Sequence, residues 1–285
     1  MAQVPYLVAA VLSVVGLAVV GWHAWPDREK LWLIGTAVVY GFLLEQGAIV
    51  VFERYAYHLS GFPMTLLDVP LTIAFAWAAI VYSALETAER LGLDDAAVPA
   101  FTALYLLHID LAVDAVAIRI PFWTWEYSGA WFGVPLNNFV GWYLIGLLFA
   151  GAYLGFRQRV RSRPLRMAAT LGTAVVSLIV VLELWLRFVA VHGVLARALG
   201  LSAMVVAALA VVARSDLDPR PVSIFVAAIP ITIHLFYLAI LLGYGYYVSQ
   251  PLMLVVSLLM LLVGLALHAL PVLHARGRTG TSARS

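Results

Sequence analysis

The sequence predicts an all-α, polytopic integral membrane protein: a bundle of about nine transmembrane helices, with the N-terminus outside and the C-terminus cytoplasmic. Three observations carry this expectation. Hydrophobic residues make up 64% of the 285 and charged residues only 11%, with a mean hydropathy of +0.98. A soluble domain carries roughly 25% charged residues, so most of this surface must face lipid. Apolar stretches recur at the length of ~20 residues that crosses a bilayer, and basic residues are split unevenly between their two ends.

Hydropathy and helix breakers place spans near residues 4–25, 31–54, 68–87, 97–118, 137–157, 166–190, 195–213, 222–244 and 251–271. Spans joined by short loops leave no room for a soluble domain. The expected division is one transmembrane domain over 1–275 and a small, polar, disordered cytoplasmic tail over 276–285. Pro5, Pro70, Pro99 and Pro251 open or flank spans, where a missing N–H costs nothing. Pro230 falls inside the eighth and is expected to kink it. The first apolar run lacks a positive n-region and a small-residue cleavage site, so it reads as a retained helix. Gly151 and Gly155 form a small-xxx-small pair that predicts close helix packing.

Thirteen of the 17 basic residues fall on one side of these spans: Arg28, Lys30, Arg90, Arg157, Arg159, Arg161, Arg163, Arg166, Arg214, Arg220, Arg276, Arg278 and Arg284. Arg54, Arg119, Arg187 and Arg197 fall on the other. The positive-inside rule makes the first side cytoplasmic, and the asymmetry supports an odd number of spans. A net charge of +2 suggests no nucleic-acid partner. Absence of cysteine excludes thiol chemistry, disulfides and cysteine-ligated metals. With no His-x-x-x-His or Glu-x-x-His pattern, no metal site is expected.

Ionisable residues inside a span cost roughly 2.5–3.5 kcal/mol each on insertion scales and so call for a reason. A rise of ~1.5 Å per residue puts Glu45 roughly 21 Å above the cytoplasmic end of its span, Asp110 and Asp114 roughly 18 and 24 Å, Glu183 roughly 22 Å and His234 roughly 18 Å. All five fall in the outer half of a ~30 Å hydrocarbon layer. Glu53, Asp68, Glu126, Asn137 and Asn138 lie nearby, which predicts a polar cavity at that depth. Asp110 and Asp114, four apart, share a helix face. Two carboxyl groups so close in low dielectric do not both ionise readily, so one is expected to hold a proton at neutral pH. Glu183 and Arg187 have the favourable i,i+4 order for a structural ion pair. Glu45 has no partner nearby in sequence and needs one on another helix, either as a cavity acid or as a structural hydrogen bond. His108 lies about 200° round the helix from Asp110 and reads as structural, whereas His234, beside Pro230, is a candidate for the cavity. His192, His268 and His274, near span ends, read as interfacial.

From Pro121 the chain reads PFWTWEYSGAWFGVPLNNFVGWY, which places Trp123, Trp125, Tyr127, Trp131, Phe132, Trp142 and Tyr143 close together. An interfacial aromatic belt accounts for some of these. It does not account for Gly133 and Pro135 shaping the backbone just ahead of two asparagines. An aromatic mouth above an acidic cavity suits a long apolar substrate entering from lipid, and aromatic faces stabilise cations.

The stretch LLHIDLAVDAVAIRIPFWTWEYSGAWFGVPLNNFVGWYL resembles the membrane-bound carotenoid biosynthesis family that contains the carotenoid 1,2-hydratases of γ-carotene-type and bacterioruberin-type pathways. The shared features are the D-x-x-x-D pair, W-x-W, and W-[FY]-G-V-P-x-x-N-F-x-G-W. YHLSGFPMTLLDVPLTIAFAWAAIVYSA is similar to the family's other marked region, so the likeness spans roughly residues 55–145. It implies addition of water to the terminal isopropylidene double bond of a linear carotenoid. Asp110 or Asp114 would then be the acid, Asn137 or Asn138 would hold the water, and Glu45 would be a further catalytic carboxyl. Trp123, Trp125, Trp131, Phe132, Trp142, Asp68 and His234 would bind the substrate. No redox cofactor or metal is implied, the partners are a carotenoid and membrane lipids, and the cell membrane is the expected location.

Three alternatives stay open. A membrane carotenoid cyclase uses the same protonation, but an internal alkene captures the cation; the asparagine pair favours hydration. A membrane prenyltransferase would use Asp110-x-x-x-Asp114 for magnesium diphosphate, yet Asp94–Asp95 is a short second cluster on the other side. A transporter or carotenoid-binding protein would use the acids as a relay, although no repeat or paired broken helices are evident.

Overall fold

The computed structural model describes residues 3–52 and 55–282. Glu53, Arg54 and Arg284 lie outside the described residues, as do the side chains of His274, Arg276 and Arg278. In chain order the helices are α1 (Val4–Ala24), α2 (Arg28–Phe52), α3 (Leu71–Leu91), α4 (Ala97–Ala117), α5 (Leu136–Arg157), α6 (Arg163–Phe188), α7 (Val194–Ala213), α8 (Ile224–Gly243), α9 (Tyr246–Ser249) and α10 (Pro251–Ser282). Among the described residues nine, all but α9, are long and apolar enough to cross a membrane. The multi-pass bundle predicted from hydropathy is therefore the architecture found.

Boundaries move where local chemistry competes with hydropathy. α2 begins at Arg28, its first turn carrying Glu29. α3 begins at Leu71 because residues just before it form a tight antiparallel pair, β2 (Thr65–Leu66) with β3 (Val69–Pro70). Pro70, extended at φ −67° and ψ 121°, is its N-cap. Gly92 closes α3 in the left-handed region at φ 71°, its N–H donating to the carbonyls of Ala88 and Glu89, an arrangement that glycine adopts without steric cost. Pro230 lies inside α8, which continues through it.

α4 is the hub. It packs against α3, α5, α7, α8 and α10, and almost every one of its residues is buried. α1 and α2 both lie on α3, and α6 lies on α2 and α5. The small-residue contact expected at Gly151 and Gly155 occurs elsewhere. A Cβ on Gly146 would come within 2.9 Å of the Thr102 carbonyl of α4, whereas one on Gly151 would meet only Pro99, at 3.9 Å. Gly146 faces α4, and five further residues rotate Gly151 away from that contact.

The two ends differ chemically. At the arginine-rich end Glu86 pairs with Lys30 at 2.5 Å and with Arg90 at 3.2 Å, and Glu29 pairs with Arg163 and Arg166. The opposite end carries a feature absent from the all-α expectation. There β1 (Tyr55–Tyr57), following α2, pairs antiparallel with β4 (Trp123–Trp125), following α4, in the register Tyr55↔Trp125 and Tyr57↔Trp123. Alternation puts these four aromatic residues on one face of the ribbon. Tyr55 and Trp125 meet at 5.0 Å and Tyr57 and Trp123 at 5.8 Å between ring centroids.

Candidate active site

Glu45 is buried near the end of α2. Its carboxylate accepts hydrogen bonds from Trp77 Nε1 of α3 at 2.6 Å, from Tyr57 Oη at 2.8 Å and from Tyr55 Oη. The partner sought on another helix is thus Trp77, and two more donors come from the ribbon ten and twelve residues further on. Burial, with the Glu45 charge alongside, pushes both phenols well above the ordinary tyrosine range, so they remain protonated donors. Tyr55, Tyr57 and Trp77 were missed by sequence reasoning. The period-two spacing of Y-x-Y opposite W-x-W is the signal that could have found the ribbon pair.

Asp110 and Asp114 stand one turn apart on α4, both buried. Asn138 Nδ2 donates to Asp110 Oδ2 at 2.8 Å and to Asp114 Oδ2 at 2.7 Å. A single nitrogen thus holds two carboxyl groups side by side, an arrangement in which like charges favour one shared proton. Among the described residues Asp110 Oδ1 and Asp114 Oδ1 have no hydrogen-bond partner. The pair is therefore held on one side only.

The backbone ahead of α5 aims Asn138 there. Pro135, extended at φ −66° and ψ 138°, is the N-cap, so Asn138 falls in the first turn. Before it, Gly129 N–H donates to Gly133 O at 2.9 Å, and Trp131 and Val134 exchange backbone hydrogen bonds. Gly133 has φ 98° and Phe132 φ 49°. A non-glycine residue in that region costs on the order of 1–3 kcal/mol. Arg119 Nη1 secures it by donating to Phe132 O at 3.1 Å.

Asp114 and Asn138 open onto a cavity of about 250 Å³ bounded by α1, α3, α4, α8 and the ribbon. Its wall includes Trp123, Phe122, Phe236 and Tyr237 beside aliphatic side chains of α1 and α8. Asp110 does not reach this wall and stands behind Asp114. Sequence left the two aspartates equivalent; the rotation of α4, which turns Ile109, Val113 and Asp114 to the cavity, distinguishes them. A second cavity of about 160 Å³ lies between α2, α5 and α6, with Asn137 in its wall. Glu45, Trp125 and Trp142 border both, and Trp142 leans on Trp77 at 4.2 Å between centroids.

The remaining predicted residues lie elsewhere. Asp68 is exposed and bound by Gln46 at 2.8 Å, and Glu126 is exposed. Trp131 donates to Leu111 O at 3.1 Å and, with Phe132, borders neither cavity. Asn137 accepts from Trp185 Nε1 at 3.0 Å rather than touching the aspartates. Glu183 and Arg187 pair at 2.6 Å on an exposed face of α6, the structural contact their spacing predicted and not a cavity acid. His234 also falls outside: Ile233 and Tyr237, four apart, face the cavity, while His234 packs against His108 at 5.2 Å between centroids. His268, read as interfacial, is buried beside Tyr105.

The family profile described as carotenoid biosynthesis protein matches residues 5–215, which include Glu45, Asp110, Asp114 and the side chains described above as hydrogen-bonded to them. The chain belongs to the carotenoid biosynthesis protein family. Comparisons with curated proteins and with solved structures gave no match. Membership gives this multi-pass membrane protein a role in carotenoid biosynthesis, and the matched region takes in α1 from its second residue, α2 to α7, the ribbon and the turn before α5.

Proposed function

We propose that this carotenoid biosynthesis protein is a hydratase that adds water across the terminal isopropylidene double bond of a linear carotenoid. The single observation that carries the reading is the Asp110–Asp114 pair, tethered by Asn138 and exposed through Asp114 to an apolar, aromatic cavity. Chemistry of this kind needs a strong acid beside an alkene in a dry site.

Asp114 donates the shared proton to the less substituted alkene carbon, leaving a tertiary cation on its neighbour. Aromatic faces of Trp123 and Trp142 stabilise that charge. Water attacks the cation, and its surplus proton passes to Glu45 and returns to the aspartate pair, so the net change is one water added. Asn138 positions the acid, while Glu45, which borders both cavities, and Asn137, in the wall of the smaller, orient water. The carotenoid enters from lipid in the cell membrane, and the ribbon end of the bundle is the outer one by the arginine asymmetry.

The test is expression in a lycopene-producing host with mass spectrometry of the pigments. A product heavier by one water per reacted end is expected. An isomer of unchanged mass identifies a cyclase, and unaltered lycopene with the protein in the membrane refutes both. Activity that depends on magnesium and a prenyl diphosphate identifies a prenyltransferase; Asp94 and Asp95, at the far end of α4 from Asp114, count against it.

A further inference from the structure

Glu45, Tyr55, Trp77, Trp125, Asn138 and Trp142 border both cavities, so Glu45 and Asn138 lie between two chambers, with Asp114 facing the larger. The larger chamber runs toward α1 and α8, where Val15 is exposed; the smaller runs toward α2 and α6, where Leu43 and Ile179 are exposed. Both therefore reach the lipid-facing surface, on different sides of the bundle. Apart from the six shared groups and Asn137, the wall of the smaller chamber is almost wholly apolar, with Leu178 and Leu182 on α6 opposite α2 and α5. A volume of about 160 Å³ behind so much aliphatic surface favours hydrocarbon groups.

We propose that the smaller chamber is the second arm of a continuous substrate channel. A linear isoprenoid then lies beside the carboxyl cluster, with its polyene body in the larger arm and the two terminal methyl groups of its isopropylidene end directed into the smaller. This inference rests on a linear carotenoid being the substrate.

Two glycines offer positions at which the arm can be filled. Gly47 of α2 and Gly141 of α5 line the chamber, and a Cβ at either would meet no atom within 4 Å. Gly172 of α6 is equally unobstructed but borders neither chamber, and serves as control. Binding of a linear carotenoid in nanodiscs is read from quenching of the tryptophans that line the channel, alongside product formation. Gly47→Phe and Gly141→Phe are each expected to weaken binding about tenfold or more, with Gly172→Phe like wild type; Gly141→Val is used if the larger side chain prevents accumulation. Unchanged binding in the arm variants overturns the two-armed channel while leaving the carotenoid reading intact if the wild type still converts its substrate. No binding by the wild type overturns both.

Discussion

Asn138 donates to Asp114 Oδ2 at 2.7 Å, joining the first turn of α5 to the last turns of α4. The same nitrogen reaches Asp110, so one side chain sets the spacing of the acid pair. Replacing Asn138 with Ala removes two hydrogen bonds to carboxyl groups. At about 1.5–3 kcal/mol for a bond to a charged group, turnover is expected to fall by roughly 10–100-fold with little change in membrane accumulation. Pigment conversion normalised to protein in isolated membranes measures this. Full activity in that variant would remove the positioning role.

The two aspartates are not equivalent, because only Asp114 reaches the cavity. Asp114→Asn is expected to reduce product formation by roughly 10²–10⁴-fold, the range supplied by general acids. Asp110→Asn, which can still hydrogen-bond to its neighbour, is expected to retain a larger residue of activity. The two variants compared in one host by product mass test the order, and the reverse ranking would move the proton donor to Asp110.

Tyr55 and Tyr57 make an alkaline prediction. Both phenols titrate above their unfolded value of about 10, so their contribution to stability is complete below that pH and is lost as pH rises toward the folded values. The melting temperature in detergent should therefore stay level through the tyrosines' neutral range and drop beyond pH ~10. In Tyr57→Phe, where one ionisable phenol is gone, the drop should be shallower. An identical alkaline limb in the variant would show that other groups set it.

Gly129 is irreplaceable for steric reasons. A Cβ there would lie 2.0 Å from the Val134 carbonyl oxygen and 2.1 Å from the Pro135 nitrogen. Gly129→Ala must open the turn that leads into α5 and displace Asn138, so a sharp loss of folded protein in membranes is expected. Gly141→Ala, which meets nothing, should accumulate normally. Fluorescence-detected size exclusion distinguishes the two outcomes.

What the sequence determined by itself was everything set by local chemistry. Nine spans follow from runs of apolar residues, since backbone hydrogen bonds in lipid must close within each helix. The shared face of Asp110 and Asp114 and the Glu183–Arg187 pair follow from a period of 3.6 residues. Tertiary structure decided which of these groups meet. Glu45 and Trp77 are 32 residues apart, and Asn138 is 24 and 28 residues from its two aspartates. Their contacts depend on how α2, α3, α4 and α5 are rotated about their axes, and that rotation is set by packing at positions such as Gly41 under Trp77 and Gly146 under Thr102. The same rotation turns Asp114 into the cavity, leaves Asp110 behind it and points His234 at His108. Helical period says which residues share a face; only the fit of one helix against the next says what that face looks at.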